Sequence, residues 1–181
     1  MGPGRLFAVV GPSGVGKDTL MAAAQDRRPA LHVVRRVVTR APEAGGEPCE
    51  PVTEAEFARR LADGAFALHW RAHGLSYGIP AAIDVWLAEG RDVLFNGSRA
   101  VLAEAMARYP DLRVLHVTAC VGTLAERLAA RGRESAAQIA ARLARAEYAL
   151  PAGLSVTEIP NDGPLDAAVD ALLAALQPER V

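Results

Sequence analysis

At 181 residues the chain has the length of one domain, enough to bury about two thirds of the surface its unfolded form exposes. A net charge of −1 argues against a bulk nucleic-acid binder, and no apolar run approaches the ~20 residues of a membrane span. Cys49 and Cys120 make neither a disulfide framework nor a metal-type spacing, and the N-terminus reads as no cleavable signal, so the expected compartment is the cytoplasm.

Taken in order, apolar runs and helical periods alternate, which predicts an α/β fold on a parallel sheet. Strands are expected at 5–10, 92–96, 112–118 and 155–160, with an extended stretch at 32–38. Helices are expected at 17–28, 80–89, 98–108, 121–131, 136–149 and 164–176. Pro80 suits a first helical turn and Gly90 a stop. Thr53-Glu54-Ala55-Glu56 is a capping-box pattern opening a short helix that Gly64 ends.

Residues 35–80 interrupt the alternation with a Pro/Gly-rich loop, "TRAPEAGGEPCEP", and the aromatic, polar run "FALHWRAHGLSYG". This stretch reads as an inserted substrate-binding subdomain, because linkers seldom carry so many aromatics. The charged interruption "RGRESAAQ", Arg131 to Gln138, is a candidate lid.

The first strand runs into "GPSGVGKDT", Gly11 to Thr19. Gly11-x4-Gly16-Lys17 has the spacing of a phosphate-binding loop in its required context, after a strand and before a helix. Its backbone N–H groups turn inward on phosphates, and Lys17 reaches the β- and γ-phosphates. Gly11, Pro12, Ser13, Gly14, Val15, Gly16, Lys17, Asp18 and Thr19 are the expected nucleotide contacts. Of the 20 basic residues only Lys17 is a lysine, so at this one position a compact point charge stands where a planar fork does not. The last position of the motif normally carries Ser or Thr to ligate Mg²⁺. Here Asp18 occupies it, a carboxylate that also suits Mg²⁺; Thr19 is the competing ligand. The plainer alternative is that Asp18 only stabilises a helix N-terminus, worth ~0.3–1 kcal/mol.

With "GPSGVGK", "TRAPEAGGE", "HGLSYG", "RLAARGRESAAQIAARLARA" and "NDGPL" in order, the chain resembles guanylate kinases almost end to end. The resemblance implies a three-layer P-loop kinase sandwich with a core (1–34, 81–130 and 150–181), an acceptor-binding subdomain (35–80) and a lid (131–149). It implies ATP and Mg²⁺, phosphate contacts from Arg40 and Tyr77, lid contacts from Arg131, Arg133 and Arg142, and a nucleotide-bordering loop at Asn161 and Asp162.

Two departures stand out. The Tyr and Glu with which guanylate kinases read guanine align with Cys49 and Leu68, which cannot supply those hydrogen bonds. The family's strand with acidic residues at its end is replaced by "VLFNGSRA", putting Asn96, Ser98 and Arg99 where ligands sit. Together with "GKDT" these features are similar to the ribose 1,5-bisphosphate phosphokinases, a related group whose acceptor carries phosphates and no base. That similarity implies formation of 5-phosphoribosyl 1-diphosphate and a place in phosphonate breakdown.

An acceptor phosphate is already an anion, so the demand is for cations and not for a general base. Arg35, Arg36, Arg40, Arg71 and Arg99 are candidates on the acceptor side, with Arg35 and Arg36 so placed that only one of the two can face the cleft. Lys17, Arg133 and Arg142 are the expected groups on the migrating phosphoryl, while Arg127, Arg145 and Arg108 read as solvated helix faces. His69 and His73 read as structural, and Trp86 as core beside Ile83 and Leu87. A guanylate kinase with a divergent base pocket, and a non-catalytic binding module of that fold, are the competing readings. No nucleic acid or membrane partner is expected; a homodimer is among the assemblies left open.

Overall fold

The computed structural model describes residues 2–44, 48–132, 134–144 and 149–177. Arg133 and Arg145, both singled out above, lie outside the described residues, as does the end of the helix expected at 136–149.

The elements run β1 (Leu6–Val10), α1 (Lys17–Arg27), β2 (His32–Val33), β3 (Arg36–Val38), a 3₁₀ turn (Pro42–Ala44), β4 (Cys49–Pro51), α2 (Glu54–Ala62), β5 (Phe66–Ala72) and β6 (Leu75–Pro80). They continue as α3 (Ala82–Ala88), β7 (Val93–Asn96), α4 (Arg99–Arg108), β8 (Arg113–Thr118), α5 (Val121–Ala130), α6 (Ala136–Ala144), β9 (Ser155–Pro160) and α7 (Leu165–Ala175). Five strands form a parallel sheet in the order β2-β7-β1-β8-β9. Four form a second, mixed sheet in the order β4-β3-β6-β5.

The central strand explains the layering. All five residues of β1 are buried, as a strand covered on both faces requires. Leu6, Ala8 and Val10 face a core completed by Ile83 of α3, Val101 and Leu102 of α4, and Leu68, Trp70 and Ile79 of the second sheet. Phe7 and Val9 face the opposite core, with Leu20 of α1, Leu124 of α5 and Leu172 of α7. At ~1.5–3 kcal/mol for each large apolar side chain removed from water, these two cores fix which way every strand faces.

Two boundaries differ from expectation. The extended stretch at 32–38 is two strands: β2 joins the parallel sheet, and after Val34 and Arg35 the chain crosses to the second sheet as β3. Pro80 ends β6, paired with Phe66, instead of opening a helix, and α3 begins at Ala82. Proline has no N–H to lose at a strand end. The punctuation of α2 is as expected. Thr53 accepts the Glu56 N–H at its N-cap, and Gly64 follows its end at φ 72°. The carboxylate of Glu56 is engaged by Arg59 and Arg60.

Candidate functional site

The first connection of the parallel sheet carries the chain from β1 across β7 to β2, and the connection after β7 carries it back across β1 to β8. Ligands bind in the crevice opened at the carboxyl ends of two such strands. Here an open cleft of about 1240 Å³ fills it, lined from β1–α1, β7–α4, the second sheet and α5–α6.

The loop at its floor is shaped by three close approaches. A Cβ on Gly11 would overlap the Val117 carbonyl of β8; one on Gly14 would meet Leu128 of α5 at 2.8 Å; one on Gly16 would meet the Asn161 amide at 2.9 Å. Gly14 and Gly16 also sit at φ 85° and 94°, the left-handed region where glycine alone is unstrained. The loop is therefore glycine-rich because β8, α5 and the segment after β9 all press on it. Lys17 opens α1 and donates from Nζ to the carbonyls of Gly11 at 2.8 Å and Pro12 at 3.3 Å. Pro12, Ser13, Lys17, Asp18 and Thr19 all line the cleft.

Across the crevice, Asn96 ends β7, buried, and donates from Nδ2 to the Asp18 carboxylate at 2.8 Å. Its backbone carbonyl accepts from Arg36 Nη1 at 3.0 Å. Arg36 is also buried, its guanidinium 4.9 Å from the Tyr77 ring and 5.8 Å from that of Trp70. Those rings are cross-strand partners on β5 and β6, stacked at 5.3 Å with 8° between planes. Of the adjacent pair it is Arg36 that turns to the cleft, while Arg35 donates to the Cys49 carbonyl. Thr39 pins the end of β3 to β6 by accepting the Ser76 N–H at 2.8 Å, which sets Arg40 on the cleft wall.

Arg99 is the first residue of α4, with Ser98 as N-cap accepting the Ala100 N–H at 3.3 Å. A cation in a first turn opposes the helix dipole. Arg99 stands there because it faces the cleft. Arg71 is exposed on β5 and is absent from the described cleft lining, so it stands apart from the other acceptor-side arginines. His73, at φ 52° in the two-residue turn between β5 and β6, lines the cleft; His69 is exposed.

From the α5–α6 side come Arg131 and Arg142. Arg142 donates from Nη1 to Glu134 at 3.1 Å, while its buried Nη2 has no hydrogen-bond partner among the described residues. Two residues of the expected nucleotide set face elsewhere. The Val15 side chain is in the core, and Asn161 spends its Nδ2 on the Val15 carbonyl at 2.8 Å, behind the loop. Asp162 accepts the Cys120 N–H that opens α5, and that bond holds its carboxyl below the usual carboxylate range.

Arg127 corrects the sequence reading. It is no solvated helix face: it donates to the carbonyls of Val15 at 3.1 Å and Asn161 at 2.6 Å. Its position one turn before Arg131 puts the two on one side of the helix but names no acceptor. Arg108 is exposed and paired with Asp84, as expected. Trp86 packs against the core, its ring 3.7 Å from that of His32. Trp70 was not among the candidates and lines the cleft. Leu68 and Cys49, the two positions that the sequence resemblance aligns with a guanine-reading pair, are apolar interior: Leu68 is fully buried in the core and Cys49 is buried on β4.

No family model matches the chain. Among curated proteins it is 53% identical over 178 residues to ribose 1,5-bisphosphate phosphokinase PhnN of Ruegeria sp. (strain TM1040), covering 98% of this chain and 94% of that one. It is 50% identical over 180 residues to the protein of the same name from Pseudomonas fluorescens (strain SBW25), covering 96% and 95%. Among solved structures, guanylate kinase from Anaplasma phagocytophilum superposes with a TM-score of 0.71 at 17% identity, covering 98% of this chain and 89% of that one. At that identity the likeness is one of fold.

Proposed function

The chain belongs to the ribose 1,5-bisphosphate phosphokinase family, and from that premise we propose that it transfers the γ-phosphoryl group of ATP to the 1-phosphate of ribose 1,5-bisphosphate. The products are 5-phospho-α-D-ribose 1-diphosphate and ADP. The bond broken joins the γ-phosphorus to the β–γ bridging oxygen, and the bond formed joins that phosphorus to an oxygen of the acceptor's 1-phosphate.

The observation that carries the choice of acceptor is the contrast between two parts of the acceptor side. Leu68 and Cys49 are buried and apolar, offering a purine nothing to hydrogen-bond, whereas Arg36, Arg40 and Arg99 converge on the cleft. A site built to read a base rejects an acceptor without one, because its polar groups would be left unpaired; this site has no such penalty.

Every remaining demand is electrostatic. The acceptor oxygen is ionised at neutral pH, so positioning and charge neutralisation supply the catalysis. Lys17 and the N–H groups of the glycine loop hold the donor phosphates. Arg36, Arg40 and Arg99 hold the acceptor's phosphates, with Tyr77 and Asn96 setting the shape of that half. Arg131 and Arg142 come from the lid, where the sequence also puts Arg133, and the Nη2 of Arg142, without a partner among the described residues, is a donor suited to an anion. The oxygens of Asp18 and Thr19, both on the cleft, fit a hard divalent cation such as Mg²⁺. Held there, such an ion would supply neutralisation of the negative charge on the donor phosphates.

The test is direct. Incubated with ATP and Mg²⁺, the protein should release ADP with ribose 1,5-bisphosphate and form the diphosphate detectable by ³¹P NMR. ADP release with GMP and none with the sugar bisphosphate would overturn the proposal in favour of guanylate kinase. Release with neither would leave a binding module.

A further inference from the structure

The carbonyl of Val15 receives two donors from behind the phosphate loop, Asn161 Nδ2 at 2.8 Å and Arg127 Nη1 at 3.1 Å. Arg127 also donates from Nη2 to the Asn161 carbonyl at 2.6 Å, closing a three-residue knot. A peptide unit is planar and trans, so its C=O and the following N–H point in opposite directions. Fixing the Val15 carbonyl away from the cleft therefore aims the Gly16 N–H into it.

That orientation needs fixing. The flanking Gly14 and Gly16 take left-handed conformations at φ 85° and 94°, and glycine occupies positive and negative φ about equally readily. The freedom that lets the loop fold around phosphates also lets the Val15–Gly16 peptide turn over and present a carbonyl to them. We propose that Arg127 is a positioning residue for the phosphate loop, holding the Val15–Gly16 peptide in its anion-binding orientation and tying that orientation to α5, the helix that ends at Arg131. Leu128, the next residue, packs on Gly14 where a Cβ would approach it to 2.8 Å, so α5 bears on two consecutive residues of the loop. The inference rests on the proposed function only in taking a nucleotide phosphate as the loop's ligand.

The experiment is calorimetric titration of Mg·ADP into the full chain and into Arg127→Met and Arg127→Lys, with the amide shift of Gly16 followed by NMR. Arg127→Met should weaken ADP binding by about ten- to hundredfold, the scale on which a ligating group's supporting partners act. The Gly16 amide should shift even without ligand, and Arg127→Lys, keeping one donor, should recover part of the loss. Should Arg127→Met not fold, a smaller loss in the same direction, with the amide shift, is read from Arg127→Lys. Arg108→Ala, which breaks an exposed ion pair on α4, is the control and should bind ADP as the parent does. ADP affinity within twofold of the parent in a folded Arg127 variant, or an equal loss in Arg108→Ala, would overturn the proposal. ADP binding needs no acceptor, so a failed sugar bisphosphate assay and a failure here are read separately.

Discussion

The Asp18 carboxylate is held by the amide of Asn96 at 2.8 Å, a bond that crosses the crevice between the donor loop and the end of β7. The departure from Ser or Thr at the loop's last position and the departure from an acidic strand end are thus one arrangement. Each residue makes the other's position workable: the amide donor orients one carboxylate oxygen of a side chain that lines the cleft.

Asn96→Ala should therefore act on metal dependence. The Mg²⁺ concentration giving half-maximal turnover is expected to rise about ten- to hundredfold, as for other losses of a partner to a ligating carboxylate. Asn96→Asp should be worse, since two carboxylates at this distance repel. The bond from Arg36 survives both changes because it goes to the backbone carbonyl. A Mg²⁺ titration of initial rates checks this, and an unchanged titration would detach Asp18 from the metal and favour Thr19.

Arg36 is buried between the Asn96 carbonyl and the Trp70–Tyr77 stack. Lysine keeps the charge there but loses the planar face that lies over Tyr77. Losing one charge-assisted hydrogen bond of a guanidinium fork to a phosphate costs about 2 kcal/mol, so Arg36→Lys should raise the acceptor KM by roughly thirtyfold. The KM for ATP should not follow. Steady-state kinetics with each substrate varied in turn separates the two; a matching rise in both would move Arg36 out of the acceptor half.

How much of this was legible in the sequence depended on whether the cause was local. The apolar run of β1, the loop spacing at Gly11 to Lys17, the Thr53 cap and the Gly90 stop are each set by neighbours in the chain, and each appears where expected. The split of residues 32–38 between two sheets is not local. Val34 donates its N–H to Leu94, and β3 pairs with β6, choices made by strands far along the chain. Arg127 was misread for the same reason. Its acceptors, Val15 and Asn161, lie 112 and 34 residues away, and nothing in the pattern of α5 announces them. Arg36 lies between these cases: its adjacency to Arg35 showed that one of the two turns inward, and only the β3–β6 register decides which.

Lys17 is the one lysine among 20 basic residues, and its Nζ lies 2.8 Å from the Gly11 carbonyl, tucked over the loop. A guanidinium is wider and planar, and cannot take that place without displacing the loop. Lys17→Arg should fold normally by circular dichroism yet lose about 10²–10³ in kcat, the cost of removing one preorganised charge-stabilising donor. Turnover within tenfold of the parent would show that charge alone is enough here.

The α3–α4 contact gives a pH-dependent prediction away from the cleft. Tyr109 donates from its hydroxyl to Asp84 at 2.6 Å, beside Arg108, which donates to the same carboxylate at 2.8 Å. Burial, and next the bond to Asp84, push the phenol up to about 12. The folded chain thus prefers the neutral phenol more strongly than the unfolded chain does, whose tyrosine titrates near ~10. The stabilisation is complete below that value and is lost as pH rises through about 12, so stability should fall across this window. Tyr109→Phe should abolish that part of the pH dependence and cost about 1 kcal/mol at neutral pH, the net worth of one hydrogen bond. Urea unfolding at a series of alkaline pH values, with phenolate absorbance followed in parallel, checks both parts. An identical alkaline loss in Tyr109→Phe would assign the titration to another group.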